Sequence, residues 1–166
     1  MDTSTHFTKT QHLIDPENSI RRQHAIPDHV YRYAAEAQLN HKGPRGHGRS
    51  KVATLPDIYY ALAVEGLALV QSGEVHPSFK EVGRPEGCTF AQIVFELDVD
   101  KTLRDIKYRA ENGEFPIAPY KEISLISLVV NLIEVAIEYR KNGAPKPAFV
   151  SREQGGKARR ERKRNQ

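Results

Sequence analysis

Residue types that do covalent or acid–base chemistry are present but are not grouped. Cys88 is the only cysteine, which excludes an intrachain disulfide and a cysteine-built zinc site within one chain. The seven histidines, His6, His12, His24, His29, His41, His47 and His76, form no tight helical or hairpin pair of the kind that grips a metal. No serine, cysteine or carboxylate pair comes with a general base and an orienting group at recognisable spacing. Residues 43–51, GPRGHGRSK, have the glycines of a phosphate cradle but not the G-x-x-x-x-G-K-[ST] spacing, and no buried strand run precedes them. The expectation is a chain that acts by binding: not an enzyme, with no metal and no cofactor.

The charges point to the partner. Residues 151–166, SREQGGKARRERKRNQ, hold seven Lys/Arg and two Asp/Glu, a net charge of +5. The other 150 residues hold 18 basic and 19 acidic side chains, so the body is near neutral. An arginine-dense tail that includes Arg159, Arg160, Arg162, Lys163 and Arg164 suits a polyanion, nucleic acid above all. A second basic cluster, Lys42, Arg45, Arg49 and Lys51, lies in the glycine-rich stretch.

The elements that must carry these residues show in the hydrophobic periods. Ala91, Ile93, Phe95, Leu97 and Val99 alternate with more polar residues, the mark of a strand with one buried face. Leu103, Ile106, Tyr108 and Ala110 then suit a short amphipathic helix that Gly113 is placed to end. KEISLISLVVNLIEVAIEYRK is a longer, very apolar helix. The first half runs in parallel: SIRRQHAI, a helix after Pro27 with Val30, Tyr33, Ala34 and Ala37 on one stripe, then a buried helix opened by Thr54 with Asp57 as its capping-box acid. Tyr59 and Tyr60 on that helix are expected in the core or an interface. The halves match at an offset of 73 for the first helices (Ala37 on Ala110) and 70 for the second (Leu62 on Leu132, Gly66 on Ala136). Two such units can pair their strands and close over four helices a core that neither closes alone.

This order resembles the ribbon-helix-helix family of DNA-binding proteins. Phe95-Glu96-Leu97-Asp98-Val99 before a short helix, and Ser124-Leu125-Ile126-Ser127-Leu128-Val129 opening a long one, carry the resemblance. Two copies in one chain are similar to the family's single-chain (tandem) members, such as the accessory factors that bind border repeats in T-DNA transfer. The resemblance spans roughly residues 20–142. It implies a mainly α fold with a small β ribbon: two strand–helix–helix units, residues 20–72 and 89–142, joined by a linker at 73–88 into a pseudo-dimer. A disordered arm, 1–19, and a basic disordered tail, 143–166, would flank it.

The family resemblance further implies a ribbon laid in the major groove of duplex DNA, read by side chains on its outward face. In one register Arg21, Gln23 and Ala25 face out while Arg22 and His24 point inward. A slip of one residue exposes Arg22 and His24 instead, and both registers stay open at this point. On the second strand Gln92, Val94, Glu96 and Asp98 would face outward, so the first strand is expected to do most of the reading. The N-termini of the long helices, at Thr54 and Ser124, would hold phosphates, with the basic cluster of residues 42–51 before the first and Lys121 before the second.

The remaining expectations are bounds. A chain of 166 residues that is 39% hydrophobic suits one globular domain. It has no run of about 18 apolar residues, and its polar beginning has no apolar signal core. The polar beginning suits an intracellular, cytoplasmic protein; the family resemblance implies a setting on a nucleoid or plasmid, in transcription regulation or as an accessory factor of conjugation, alongside other proteins of a nucleoprotein complex. An RNA-binding adaptor working through the arginine-rich tail, and a protein-interaction module using the acidic second strand, are the alternatives.

Overall fold

The computed structural model describes residues 6–7, 15–40, 54–143 and 148–149. In chain order these form β1 (His6–Phe7), a 3-10 turn (Pro16–Asn18), β2 (Ser19–Ile26), α1 (Asp28–Asn40), α2 (Leu55–Gln71), β3 (Phe79–Lys80), β4 (Thr89–Glu96), α3 (Leu97–Glu111), β5 (Ile117–Ala118), α4 (Leu125–Lys141) and β6 (Ala148–Phe149). The described chain is mixed α/β and mostly helical. Its longest strands, β2 and β4, pair antiparallel from Ser19 opposite Glu96 to Ile26 opposite Thr89. Two short parallel pairs, β1 with β6 and β3 with β5, are the other strand pairings among the described residues.

Alternation explains which face of the β2–β4 ribbon is covered. Ile26, Ile93 and Phe95 are fully buried on the inward side, against α2 and α4. The two long helices form the floor. On α2, Ile58, Tyr59, Leu62 and Val70 are buried, and on α4, Leu128, Leu132, Ile133 and Ala136. Tyr59 and Tyr60 belong to this core as expected. Along α1, Val30 and Ala34 are buried, with Tyr33 and Ala37 partly so. The capping box at α2 is complete: the Thr54 hydroxyl accepts from the Asp57 N–H at 3.2 Å, and the Asp57 carboxylate accepts from the Thr54 N–H at 3.1 Å. Gly113, with φ at 95°, lets the chain leave α3 in the left-handed region.

Three sequence expectations change. The strand ends at Glu96, not Val99. Leu97 is 46% exposed, and Asp98 and Asp100 sit in the first turn of α3, where the helix dipole favours acids. Val99 extends the alternation because it also starts the helical stripe Val99, Leu103, Ile106, Ala110. Secondly, the first helices begin 69 residues apart, at Asp28 and Leu97, not at the offset of 73 that sets Ala37 on Ala110. The second helices keep the expected 70, from Leu55 to Leu125.

Lastly, the segment between the halves is built into the fold. Phe79 is buried, and the Phe79 N–H donates to the Pro116 carbonyl at 2.8 Å. The Asn131 side chain brackets Lys80: its amide donates to the Lys80 carbonyl at 2.7 Å and its oxygen accepts the Lys80 N–H at 3.0 Å. One turn earlier, the Ser127 hydroxyl accepts the Val82 N–H at 3.0 Å.

Where α2 crosses α4 the backbones nearly touch. A Cβ on Gly66 would lie 1.9 Å from the Leu132 carbonyl oxygen. Alanine normally gains about 1 kcal/mol over glycine inside a helix. Here that gain is overwhelmed, because backbone atoms must move and overpacking alone costs about 1–3 kcal/mol. Gly66→Ala is therefore expected to lower the thermal unfolding midpoint, followed by circular dichroism; a raised midpoint would refute the close crossing.

Candidate nucleic-acid interface

The outward face of the ribbon is set by register. Directly opposed pairs share a face, and the outward pairs are Ser19 with Glu96, Arg21 with Val94, Gln23 with Gln92, and Ala25 with Phe90. Arg21, Gln23 and Gln92 are exposed, so two glutamines sit side by side near the middle with an arginine two residues away. Phe90 is also on this face, 52% exposed, with the Arg84 guanidinium 5.6 Å from its ring centre. Ala25, expected to be exposed, is buried. A lone methyl opposite a phenyl ring has little surface to show.

The carboxylates are fewer on this face than the sequence suggested. Asp98 leaves it altogether, because α3 has already begun. Glu96 stays, but at the end of the ribbon and partly buried, accepting the Tyr60 hydroxyl at 3.1 Å. Burial, and then Glu96 itself, push the Tyr60 phenol above its ordinary range.

The same register places Arg22 and His24 inside, which removes both from the candidate base readers and excludes the slipped alternative. The burial of Arg22 is compensated. Its guanidinium donates to Asp100 Oδ1, and Arg104 Nε donates to Asp100 Oδ2 at 3.0 Å. Burial pushes the Asp100 carboxyl up, but these hydrogen bonds outweigh it and hold it below the usual range. His24 is fully buried, its Nδ1 3.4 Å from the Ile126 carbonyl oxygen and its Nε2 without a hydrogen-bond partner. Burial lowers its pKa from 6.5 to about 4, against the Ile126 contact and helped by the nearby Arg22 charge. The ring is therefore neutral at pH 7.

The two long-helix N-termini differ. Thr54 is turned to its own capping box, with its hydroxyl donating to Asp57 at 2.6 Å. At Ser124 a carboxylate from the linker is already seated. Glu81 accepts from the Ser124 N–H at 2.9 Å, the Ser124 hydroxyl at 2.9 Å and the Ser127 hydroxyl at 2.6 Å. Burial raises the Glu81 carboxyl and these bonds more than reverse it, so it stays ionised. Ser124 is thus not an open phosphate anchor, for a reason no local pattern carries: its partner lies 43 residues back. Lys121 is exposed just before it. Lys42, Arg45, Arg49, Lys51 and the tail residues Arg159, Arg160, Arg162, Lys163 and Arg164 lie outside the described residues.

Sequence reading missed Asp100, Glu81 and Arg84, whose partners are all distant in sequence or set by a turn. Among the described residues no group of His, Cys, Asp and Glu could hold a metal, and no helix is long and apolar enough to cross a membrane. No protein-family model, curated protein or solved structure matches the chain.

Two outcomes follow from the inward pair. Arg22→Ala leaves the buried Asp100 with Arg104 alone and is expected to cost about 3 kcal/mol in denaturant unfolding. A loss under about 0.5 kcal/mol would mean the pair is not structural. For His24, the unfolded chain takes up a proton below pH 6.5 whereas the folded chain resists until about pH 4. Its stabilising contribution is complete above pH 6.5 and is lost as the pH falls. Stability should drop by about 2 kcal/mol more between pH 7 and pH 5 in the native chain than in His24→Leu.

Proposed function

We propose that the chain is a tandem ribbon-helix-helix pseudo-dimer that binds duplex DNA and does no chemistry, serving as an accessory or regulatory factor. The observation that carries this reading is the β2–β4 register. It sets Arg21, Gln23 and Gln92 on one exposed face while Ile93, Phe95 and Ile26 anchor the other. An antiparallel two-stranded ribbon fits the major groove, where arginine matches guanine and glutamine matches adenine. The near-neutral body has little charge to hold DNA by itself. The basic tail supplies the sequence-independent attraction to phosphate, and the ribbon supplies selectivity.

In a mobility-shift series against a selected duplex, Arg21→Ala/Gln23→Ala should weaken binding by about 30-fold or more, since two base contacts are lost and each good one contributes about 1–3 kcal/mol. Replacing Arg159, Arg160, Arg162, Lys163 and Arg164 with alanine should instead weaken binding to all duplexes alike. It should also flatten the salt dependence by about 0.9 log unit for each phosphate that is no longer neutralised. Unchanged binding by the strand variant, with complete loss in the tail variant, would remove the ribbon from recognition. Stronger binding to a hairpin RNA than to the duplex would then point to the tail as an RNA-binding segment.

A further inference from the structure

We propose that the ribbon reads a target with two unlike halves, Arg21 meeting a guanine in one and Phe90 packing on a thymine methyl in the other. The proposal rests on the groove-reading function above. The first helices of the two halves start 69 residues apart, at Asp28 and Leu97. The same step carries Gln23 to Gln92, which are directly opposed across the ribbon. A local two-fold relating the halves therefore passes through the Gln23–Gln92 pair. The same step carries Arg21 to Phe90. Both stand on the outward face, each two residues from the centre and on opposite sides of it. Two strand residues span about 7 Å, about two base-pair steps along DNA.

The matched pair of glutamines is suited to like bases in both halves, whereas Arg21 and Phe90 are not interchangeable. A guanidinium matches the two acceptors of guanine, and an apolar side chain matches the methyl that marks thymine. The exposure of Phe90 is not required by the core, whose inward positions on β4 are filled by Ile93 and Phe95. Arg84 over the ring keeps a cation on this side of the second half. The helix ends differ in the same sense. Glu81 occupies the N–H and hydroxyl of Ser124 at the start of α4, and its ionised carboxylate repels a phosphate there. At the start of α2 the corresponding Thr54 is engaged by its own capping box. No linker carboxylate is bonded to it among the described residues.

The test is selection of bound sequences from a random duplex library by the full chain, by Phe90→Arg and by Arg21→Ala. Both substitutions are at exposed positions, and each variant's fold is checked by circular dichroism. The native chain should enrich a non-palindromic motif with guanine on one flank and thymine on the other. Phe90→Arg should convert the thymine flank to guanine and make the motif more nearly palindromic. Arg21→Ala should lose the guanine flank alone. A palindromic motif from the native chain, or an unchanged motif from Phe90→Arg, overturns the unlike-halves proposal while leaving groove reading intact. If no chain enriches any motif, groove reading itself fails and this proposal with it.

Discussion

Pairing between β2 and β4 is the constraint on which the rest of the described structure depends. Ile26 and Thr89 face each other across the ribbon, yet the whole of α1, α2 and the segment through β3 lies between them. A two-stranded ribbon is marginal by itself in water. Here it is covered on one side by α2 and α4, whose backbones are brought together at Gly66 and Leu132. The local order of strand and helices is therefore not enough. The core exists only when residues from both halves meet, and the register decides in one step which side chains face the helices and which face outward.

The inward side tolerates polar residues because each is dealt with differently. Arg22 is matched by Asp100, which Arg104 also contacts. His24 is kept neutral, edge-on to Phe95 with ring centres 6.3 Å apart. Between the long helices, Arg140 Nε donates to Glu65 at 2.6 Å with both side chains largely covered. Buried ion pairs of this kind add little net stability over an apolar replacement but are costly to break on one side. Arg22–Asp100 joins β2 of the first half to α3 of the second, and Arg140–Glu65 joins α4 to α2. Both lie across the boundary between the halves.

Much of this is legible in the sequence because it depends on period and on capping. The alternation in residues 91–95, the stripe Val30–Ala34, the Thr54–Asp57 box and the apolar length of α4 each announce their element locally. Glycine and alanine at positions 66 and 136 also mark where helices can approach. What escapes depends on distance or on an ambiguous residue. Val99 fits both a two-residue and a helical period, so the alternation runs three residues past the end of the strand. Arg22 and His24 belong to neither face by sequence, until Asp100 and Ile126 are in place around them. Residues 73–88 have the Pro and Gly content of a plain connection, and nothing local shows that Glu81 closes the α4 N-terminus or that Asn131 holds Lys80.

That fastening has a consequence for how the molecule behaves on dilution. A ribbon assembled from two separate chains loses its partner as concentration falls, so its stability is inseparable from protomer concentration. Here the two strands belong to one chain, and part of the connection is tied along α4 by Asn131 and Ser127. The encounter between them is intramolecular, with an effective concentration set by the connecting chain rather than by the surroundings. The β2–β4 ribbon can therefore stay closed at low copy number, in a cell that holds only a few molecules of the protein.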